Sequence, residues 1–374
     1  MHSLHVKWLL SSLVIVPLIA VICFFVITPS PISPVKRDVA IGSLPLAGVL
    51  SANDILRSHS SIVGQNIVEG PEGVACDKDG SAVVGSIDGK IFRIFASNST
   101  AQLLHEVGGR PLGVAIDRNG IIWACVVPKG LVRIDLANSL MVAVSDEVLR
   151  YPNDLAISAD AKTIYFSDAS HHRPMYKDGR WLTMIASKYE CFENRKTGRL
   201  WQYETETGKT KQLMEGLGFA NGVALSSEED YVIVGETCLR RVWRYWLKGE
   251  KAGVKEVILS DIPGYVDNIR RGPSGDRFWL GIHGLTSPLE FLFSFPFLMQ
   301  QVAKLPPKLL PRPKPYGLVI QIDVSATEGA KMVKSLHDPT GTVIPFATAA
   351  AECDGYIYIG TLDGNGVPVI KNFE

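Results

Sequence analysis

Short apolar segments separated by turns recur from about residue 61 to the end of the chain. One unit starts with the apolar segment 74–76, turns at Lys78-Asp79-Gly80 and continues with the apolar segment 82–85. The segments are rich in β-branched and aromatic residues, and Gly or Asp turns between such segments are typical of β-hairpins. No long amphipathic helical pattern lies between them, so the pattern favours antiparallel strands over a parallel α/β sheet.

The predicted strands recur with a period of about 40 residues. Several units carry a third strand rich in aromatic residues, such as Val242-Trp243-Arg244-Tyr245. Successive units begin at intervals close to about 40 residues, the length of a four-stranded propeller blade. Two longer intervals hold insertions, at about 171–197 and 284–315. The six units predict an all-β, six-bladed β-propeller over residues 61–374, closed by a strand from residues 61–68.

One short phrase opens the first strand of each unit. Two of its copies are Pro71-Glu72-Gly73-Val74-Ala75 and Ala220-Asn221-Gly222-Val223-Ala224. In register, the second position of the phrase holds Glu72, Leu112, Asn153, Asn221, Asp267 and Thr348. The innermost strands of a propeller line its central channel, so these side chains are expected to converge at one end of that channel.

The register predicts a calcium site. Glu72, Asn153, Asn221 and Asp267 carry carboxylate or carboxamide oxygens, which are the ligands that Ca²⁺ prefers. Asn268 would add a hydrogen bond behind these ligands or a further ligand, and water or substrate would complete the shell. The competing interpretation is that each residue only caps a strand or turns the chain, as single Asn-Gly pairs often do. Four such residues in register favour the metal site.

The N-terminus carries an apolar run without charged residues, at 8–28. About 20 such residues can cross a bilayer, so residues 1–30 are predicted to form an uncleaved transmembrane signal anchor, with a cleaved signal peptide as the alternative. Residues 31–60 are expected to be a linker. The sequon Asn98-Ser99-Thr100 predicts glycosylation of Asn98 and a lumenal propeller. The expected location is the secretory pathway: the endoplasmic reticulum membrane, the vacuole or the cell surface.

The charge balance limits the classes of partner, and the cysteines allow a disulfide bond. The 374-residue chain has 38 basic and 38 acidic residues, and this balance argues against a nucleic-acid-binding protein. Cys76, Cys125 and Cys353 lie in apolar strand-like segments and are expected to be buried free thiols. Cys191 and Cys238 could pair in an oxidising compartment, although the sequence alone does not establish it.

Histidines and an apolar insertion are candidates for the mouth of the channel. The histidines are His171, His172, His283 and His337. For the first two, an exposed loop position without function is the alternative. In the second insertion, apolar residues 289–299 precede basic residues spread among prolines at 304–314. This segment could be a lid, a patch that enters the membrane surface, or an insertion packed against its own domain.

Several strings together resemble one protein family over roughly residues 65–374. The strings are Gly70-Pro71-Glu72, Tyr151-Pro152-Asn153-Asp154, Thr197-Gly198-Arg199-Leu200, Ala220-Asn221-Gly222-Val223, Val242-Trp243-Arg244-Tyr245-Trp246, Pro263-Gly264-Tyr265-Val266-Asp267-Asn268-Ile269 and Ser335-Leu336-His337-Asp338-Pro339. They resemble the strictosidine synthase-like family, which includes proteins of the adipocyte plasma membrane-associated type and is distantly related to paraoxonase and gluconolactonase propellers. The resemblance implies a six-bladed propeller. In the calcium-dependent relatives the ligands are a Glu, two Asn and an Asp, at positions that match Glu72, Asn153, Asn221 and Asp267.

Two departures from these relatives narrow the expected function. The catalytic glutamate of strictosidine synthase proper is matched by Thr348, which cannot act as that base, although Glu352 lies nearby. The position of a paraoxonase histidine is matched by Leu112. The sequence therefore favours a calcium-dependent hydrolase of apolar esters or lactones, of arylesterase type, in which Asp267 or Glu72 orients or deprotonates the attacking water. The alternatives are a non-catalytic, membrane-anchored binding propeller and a condensing lyase of strictosidine synthase type.

Overall fold

The computed structural model describes residues 16–17, 20, 23–39, 41–138, 140–143, 149–324 and 329–371. Within these ranges the chain forms six four-stranded antiparallel sheets, confirming the predicted six-bladed propeller. Each innermost strand packs beside the innermost strand of the next blade, and the last packs beside the first. In order from the axis outward, the strands are β2 Val74–Cys76, β3 Ala82–Gly85, β4 Lys90–Phe95 and β5 Thr100–Glu106 in blade 1; β6 Arg110–Ile116, β7 Ile122–Val127, β8 Gly130–Asp135 and β9 Leu140–Ala143 in blade 2; β10 Pro152–Ile157, β11 Thr163–Asp168, β14 Gly198–Glu204 and β15 Thr210–Leu217 in blade 3; β16 Ala220–Leu225, β17 Tyr231–Glu236, β18 Arg241–Trp246 and β19 Lys255–Leu259 in blade 4; β20 Gly264–Arg271, β21 Arg277–Leu285, β22 Gly317–Asp323 and β23 Lys331–Asp338 in blade 5; and β24 Ala347–Cys353, β25 Tyr356–Thr361, β26 Val367–Lys371 and β1 Ser60–Val63 in blade 6.

The ring is closed by a strand from the N-terminal side of the propeller. Strand β1 pairs antiparallel with β26, so blade 6 contains residues from both ends of the domain. The closing strand is shorter than the predicted 61–68. It ends where Gly64 takes a positive φ of 71° and its carbonyl accepts hydrogen bonds from Ile67 and Val68. Such a turn is open to glycine at no steric cost.

A disulfide bond also joins the first and last blades. Cys76 at the end of β2 is bonded to Cys353 at the end of β24, 277 positions later in sequence. The expectation that both are free thiols is therefore wrong. Blades 1 and 6 become neighbours only in the closed ring, so the sequence pattern around each cysteine gives no sign of its partner. Cys125 is a buried free thiol, and Cys191 is bonded to Cys238.

The insertions carry most of the helical structure. The described helices are α1 Ile55–His59, α2 Thr183–Glu193 and α3 Pro296–Val302, with short 3₁₀ helices at Gly48–Leu50, Pro288–Ser294 and Pro307–Leu309; a small hairpin pairs β12 Tyr176–Lys177 with β13 Arg180–Trp181. Helices α2 and α3 pack together through an apolar cluster that includes Ile185, Phe192 and Met299. The second insertion thus packs against its own domain, as one interpretation predicted. It nevertheless leaves Leu289, Phe291, Phe295 and Phe297 exposed.

The predicted anchor falls largely outside the described residues. Of the apolar run 8–28, the structure describes 16–17, 20 and 23–28. Among the described residues, no helix is both long enough and apolar enough to span a membrane. The anchor therefore stays a prediction. The segment predicted as a linker is docked on the propeller: Val35 N donates to the Glu193 carbonyl, and Leu44 N donates to the Asp261 carbonyl.

Candidate metal centre and adjoining cavity

A β-bulge accompanies the recurring phrase in five of the six blades. The strand register shifts between Pro111 and Val114, Pro152 and Leu155, Ala220 and Val223, Val266 and Ile269, and Ala347 and Ala349. A bulge places an extra residue in one strand and re-aims a side chain. The second residue of each phrase lies within its bulge, except for Glu72, which precedes β2. The repeated phrase therefore encodes a repeated backbone irregularity at one end of the channel.

Glycine after the second residue of the phrase lets neighbouring blades meet closely near the axis. A Cβ on Gly73 would overlap the carbonyl oxygen of Leu112 in the next blade. A Cβ on Gly222 would overlap the backbone nitrogen of Ile269 and crowd the carbonyl of Asp267. Because both obstacles are backbone atoms, any larger residue would push the blades apart at this end.

The four predicted ligand residues lie around one small cavity. Glu72, Asn153, Asn221 and Asp267 all line it, and each is 2–5% exposed. The cavity has a volume of about 30 Å³, close to the space that one water molecule occupies in the liquid. Its other lining residues are Leu112, Tyr151, Thr183, Met184, Ser187, Phe219, Thr237, His283 and Leu362. The cavity is therefore of a size for a single ion or a single water.

Three oxygen atoms that line this cavity, and one just behind it on Asn268, lack partners among the described residues. These buried, unpartnered atoms are Glu72 Oε2, Asn153 Oδ1, Asn221 Oδ1 and Asn268 Oδ1. Two of the amide groups are nevertheless oriented: Asn221 Nδ2 donates to Thr237 Oγ1 at 3.1 Å, and Asn268 Nδ2 donates to Glu72 Oε1 at 2.9 Å. Buried polar atoms are normally satisfied, so a convergent set of bare oxygens needs an explanation. A hard cation satisfies such a set, and the residues present fit calcium.

The electrostatics of the small cavity favour binding of a cation. Burial raises the pKa of Glu72 to about 7, although the nearby Arg110 guanidinium acts in the opposite direction. Burial, together with the negative charge of Glu72, raises the pKa of Asp267 well above its ordinary range. Two buried carboxyl groups at one cavity hold their protons because neither charge is sufficiently balanced. A divalent cation would balance both and allow both to ionise.

A buried ion pair lies further along the channel, and sequence reasoning missed it. Arg270 Nη1 and Nη2 donate to the two carboxylate oxygens of Asp154 at 2.7 and 2.9 Å. Arg270 Nε donates to the Val74 carbonyl at 2.7 Å, and Val223 N donates to Asp154 Oδ2 at 2.9 Å. The pair thus ties together the innermost strands of four blades. The sequence feature that could have revealed it is the presence of two charged residues, Asp154 and Arg270, on otherwise apolar inner strands.

The candidate histidines lie in different places. His283 in β21 lines the cavity, stacks on Phe346, and holds Nδ1 3.9 Å from Asp267 Oδ2. Burial, assisted by the charge of Lys188, lowers the pKa of His283 to about 4. His337 does not lie at the channel mouth as predicted. It is buried in β23, the outermost strand of blade 5, between Tyr316 Oη and Ser335 Oγ. A β-strand period alone does not show which strand of a blade a residue occupies.

His171 and His172 also lie away from the cavity, contrary to their predicted place at the mouth. They follow β11 in the first insertion and contact Glu193 at the C-terminal end of α2. Helix α2 itself forms part of the cavity wall through Met184 and Ser187, so the insertion reaches the site by its helix and not by its histidines.

A larger apolar cavity adjoins the small one. It has a volume of about 350 Å³ and shares Met184, Ser187, Thr237 and His283 with the small cavity. Its apolar lining comes mainly from the two insertions and includes Cys191, Phe192, Leu289, Leu292, Phe293, Met299 and Val302. Lys188, Glu290 and Arg312 add charges. The second insertion therefore forms part of the wall of this cavity, and its predicted role as a lid stays a prediction.

The two departures noted in the sequence have structural counterparts. Leu112 lines the small cavity and offers no polar atom from its side chain. Thr348 Oγ1 donates to the Glu72 carbonyl at 2.7 Å, so it fixes the backbone of a predicted ligand residue. Glu352 lies near the opposite end of β24, where its Oε2 accepts from Trp279 Nε1. None of the three offers a base at the cavity.

Known protein families match this chain in two places. A family model described as strictosidine synthase matches residues 153–250, and one described as strictosidine synthase-like, N-terminal, matches residues 48–94. The adipocyte plasma membrane-associated protein of Rattus norvegicus is 30% identical over 344 residues, which cover 84% of this chain and 86% of that protein. The strictosidine synthase-like 10 protein of Arabidopsis thaliana is 30% identical over 343 residues, covering 84% and 88%.

Solved structures share the fold at low identity. A gluconolactonase from Xanthomonas campestris aligns with a TM-score of 0.56 at 14% identity, covering 92% of this chain and 98% of that one. A calcium-binding protein described as regucalcin, from Agrobacterium tumefaciens, aligns with a TM-score of 0.56 at 12% identity, covering 84% and 93%. At such identities the likeness concerns the fold alone.

Proposed function

This chain belongs to the strictosidine synthase-like family, and we propose that it is a calcium-dependent hydrolase of apolar carboxylic esters or lactones. The observation that carries the proposal is the set of unpartnered side-chain oxygens at one end of the channel, next to an apolar cavity. The names of two fold relatives, a gluconolactonase and a calcium-binding regucalcin, agree with such an activity in this architecture.

Glu72, Asn153, Asn221 and Asp267 would hold the calcium ion, with Asn268 keeping the Glu72 carboxylate in place. The ion would supply Lewis acidity toward the substrate carbonyl and stabilise negative charge as it develops on that oxygen. Thr237 fixes the amide of Asn221 by accepting from its Nδ2, so the carbonyl oxygen keeps its direction. This support is typical of residues behind a metal site.

Water activation would fall to groups that line the small cavity. Asp267 orients the attacking water or removes its proton, as does Glu72 in the alternative assignment. His283 contacts both cavities, and its buried Nδ1 has no hydrogen-bond partner among the described residues. Because its pKa is lowered to about 4, the imidazole is neutral at neutral pH and can accept a hydrogen bond from that water.

The apolar cavity would hold the hydrophobic part of the substrate. Its volume of about 350 Å³ lies at the lower end of the range for small-molecule sites, and its lining is mostly apolar. Lys188 and Arg312 are its basic groups, so a substrate with a polar or anionic end distant from the reacting carbonyl also fits. A lyase of strictosidine synthase type is disfavoured because Thr348 cannot serve as its base.

The decisive experiment measures hydrolysis of aryl esters and lactones by the purified full-length protein in detergent. Activity should disappear with a calcium chelator, return with added Ca²⁺, and fall by at least about 100-fold in Asp267→Asn. Glu106→Gln, which alters an exposed carboxylate on the outer strand of blade 1, is the matched control and should retain activity. Activity that survives both chelation and Asp267→Asn would refute the proposal. Calcium-dependent stabilisation without turnover would instead support the non-catalytic propeller.

The same proposal places the enzyme at a membrane of the secretory pathway. The exposed side chains of Leu289, Phe291, Phe295 and Phe297 form an apolar surface on the second insertion. Lys304 Nζ of this insertion donates to the Phe25 carbonyl, so the end of the N-terminal apolar run lies beside it.

Two disulfide bonds suit an oxidising compartment. Asn98 lies in an exposed turn before β5, and loss of a glycosidase-sensitive mass in Asn98→Gln would test the lumenal orientation.

A further inference from the structure

A second group of ligand-type side chains lies in the first insertion, outside both cavities. His171, His172 and Glu193 each offer one ligand atom, and these atoms all lie within 4.8 Å of one another. His171 Nε2 is 3.2 Å and His172 Nε2 is 2.9 Å from Glu193 Oε2. We propose that these three side chains bind a zinc ion, which fastens helix α2 to the loop that follows β11.

The separations suit zinc. Tetrahedral zinc binds histidine nitrogen and carboxylate oxygen at about 2.0–2.2 Å, which places neighbouring ligand atoms about 3.3 Å apart. The distance from His171 Nε2 to Glu193 Oε2 lies close to that value, and the hydrogen bond between His172 Nε2 and Glu193 Oε2, 2.9 Å long, would lengthen slightly as the ion replaces its proton. Two imidazoles and one carboxylate select a borderline ion such as zinc, whereas the oxygen-only channel site selects calcium. The His171 side chain is 43% exposed, so water can complete the coordination and the ion has a path from solvent.

The atoms behind the ligands are already fixed. His171 Nδ1 lies 3.0 Å from Thr197 Oγ1, and Thr197 Oγ1 donates to Glu190 Oε2 at 2.6 Å. With the Thr197 hydroxyl proton committed to Glu190, the hydroxyl oxygen accepts from the imidazole. Nδ1 therefore carries the proton and Nε2 offers its lone pair to the metal. A hydrogen bond of this kind is the usual support of a zinc-binding histidine.

The two carboxylate oxygens of Glu193 have different partners. Glu193 Oε1 accepts from Ser33 N at 2.7 Å, which leaves Oε2 directed at the two histidines. The backbone of His172 is held by Ser170 Oγ at 2.9 Å, and Ser170 in turn donates to Glu190. The buried Glu190 thus organises both histidines without facing the proposed ion as a ligand. This preorganisation distinguishes the cluster from exposed side chains that happen to lie close together.

A zinc ion here would act on the wall of the apolar cavity. Residues 171–172 begin the first insertion, and Glu193 ends α2, whose Met184, Lys188 and Phe192 line that cavity. The Cys191–Cys238 bond fixes the same end of the helix to the segment after β17. The metal would add a second fixed point, to blade 3, and thereby hold the cavity wall in one position.

The test measures zinc binding directly in the full-length protein. Protein stripped with chelator is saturated with Ca²⁺ to occupy the channel site, equilibrated with Zn²⁺ and freed of excess metal before elemental analysis. We expect one zinc per chain, and a loss of affinity of roughly 100-fold or more in His171→Asn, His172→Asn and Glu193→Gln. Thr197→Val removes only the supporting hydrogen bond and should weaken binding by about 10–100-fold. His105→Asn on the outer strand of blade 1 is the matched histidine control and should bind zinc like the wild type.

Two further measurements distinguish a loss of zinc binding from misfolding of a variant. Cobalt substituted for zinc should give the absorption of a four-coordinate site with nitrogen and oxygen ligands in the wild type and not in His171→Asn. This variant changes a partly exposed side chain, so it is expected to fold. Amide exchange in α2 should slow on zinc addition in the wild type alone. The inference is overturned if the wild type retains no zinc, or if His171→Asn and His172→Asn bind it unchanged. Because calcium and activity are not the readouts, failure of the proposed hydrolase function leaves this test intact.

Discussion

Removal of calcium at different pH values tests the channel site most directly. In the metal-free protein, burial raises the pKa of Glu72 from an ordinary 4.5 to about 7. Below pH 4.5 the group is protonated in both folded and unfolded chains and has no effect on stability. Between 4.5 and 7 the folded protein keeps a proton that the unfolded chain releases, so stability falls as the pH rises. Above pH 7 the full penalty is present.

The size of the penalty follows from the shift. One pKa unit corresponds to about 1.4 kcal/mol, so a shift of about 2.5 units lowers the free energy of unfolding by about 3 kcal/mol. For a domain of this size that amounts to roughly 5–10 °C in melting temperature. Asp267, whose pKa is also raised, adds to the loss in the same direction. Calcium at about 100 times its dissociation constant should restore about 2.7 kcal/mol at pH 8.

The assay is a set of thermal melts at pH 5 and pH 8, with chelator or with Ca²⁺. Stabilisation by calcium should be large at pH 8 and small at pH 5, because the ion must displace protons from Glu72 and Asp267. Glu72→Gln keeps the shape of the side chain but removes its titration. It should flatten the decline of the chelated protein and lose most of the calcium effect, while Glu106→Gln behaves like the wild type. Equal calcium stabilisation at both pH values, or identical profiles for wild type and Glu72→Gln, would refute the reasoning.

Three further predictions concern the ring itself. Removing the Cys76–Cys353 bond with paired serines should lower the free energy of unfolding by up to about 5–6 kcal/mol, and removing Cys191–Cys238 by about 4 kcal/mol, because the loops span 277 and 47 positions; the reverse order in denaturation experiments would contradict this. Gly222→Ala should destabilise the fold by roughly 3 kcal/mol or more and abolish calcium binding, because the added Cβ overlaps the backbone of the next blade. The control Gly272→Ala, whose Cβ would meet only ordinary contacts, should change neither the melting temperature nor the calcium titration appreciably. Arg270→Met should lower the free energy of unfolding by about 3–5 kcal/mol, because it leaves Asp154 buried without its partner. Combining it with Asp154→Leu should recover part of that loss. Equal stability of Arg270→Met and wild type would contradict a structural role for the ion pair.

The recurring phrase made the blade count and the cavity lining predictable from sequence. Strand period and turn chemistry are local, so they identify hairpins without knowledge of the fold. Placing Glu72, Asn153, Asn221 and Asp267 at one cavity required only the assumption that equivalent positions surround one axis. The bulges and close-packed glycines that direct these side chains are encoded in the same phrase, although their role became visible only in the structure. Whether the four residues bind metal stays a prediction.

Other features depend on contacts between distant parts of the chain. Cys76 and Cys353 meet because the ring closes, and His337 is remote from the axis because it falls on the fourth strand of its blade. Helix α2 escaped detection because it is buried on several sides: Ile185, Cys191, Phe192 and the carboxylates Glu190 and Glu193 are all covered. Such a helix lacks the single apolar face by which amphipathic helices are recognised. The Asp154–Arg270 pair likewise joins positions on strands from different blades.

The arrangement of blade 6 decides how the propeller would respond to a pull on the segment that precedes β1. Tension transmitted along that segment first loads its docking contacts, such as those of Val35 with Glu193 and Leu44 with Asp261, and only then β1, which would peel away from β26 one residue pair at a time. The Cys76–Cys353 bond lies on the adjoining seam, between the innermost strands, and is not part of that peeling front. Under such a load the propeller would lose an outer strand while Glu72, which lies just before the bonded strand, stays beside Asn153, Asn221 and Asp267.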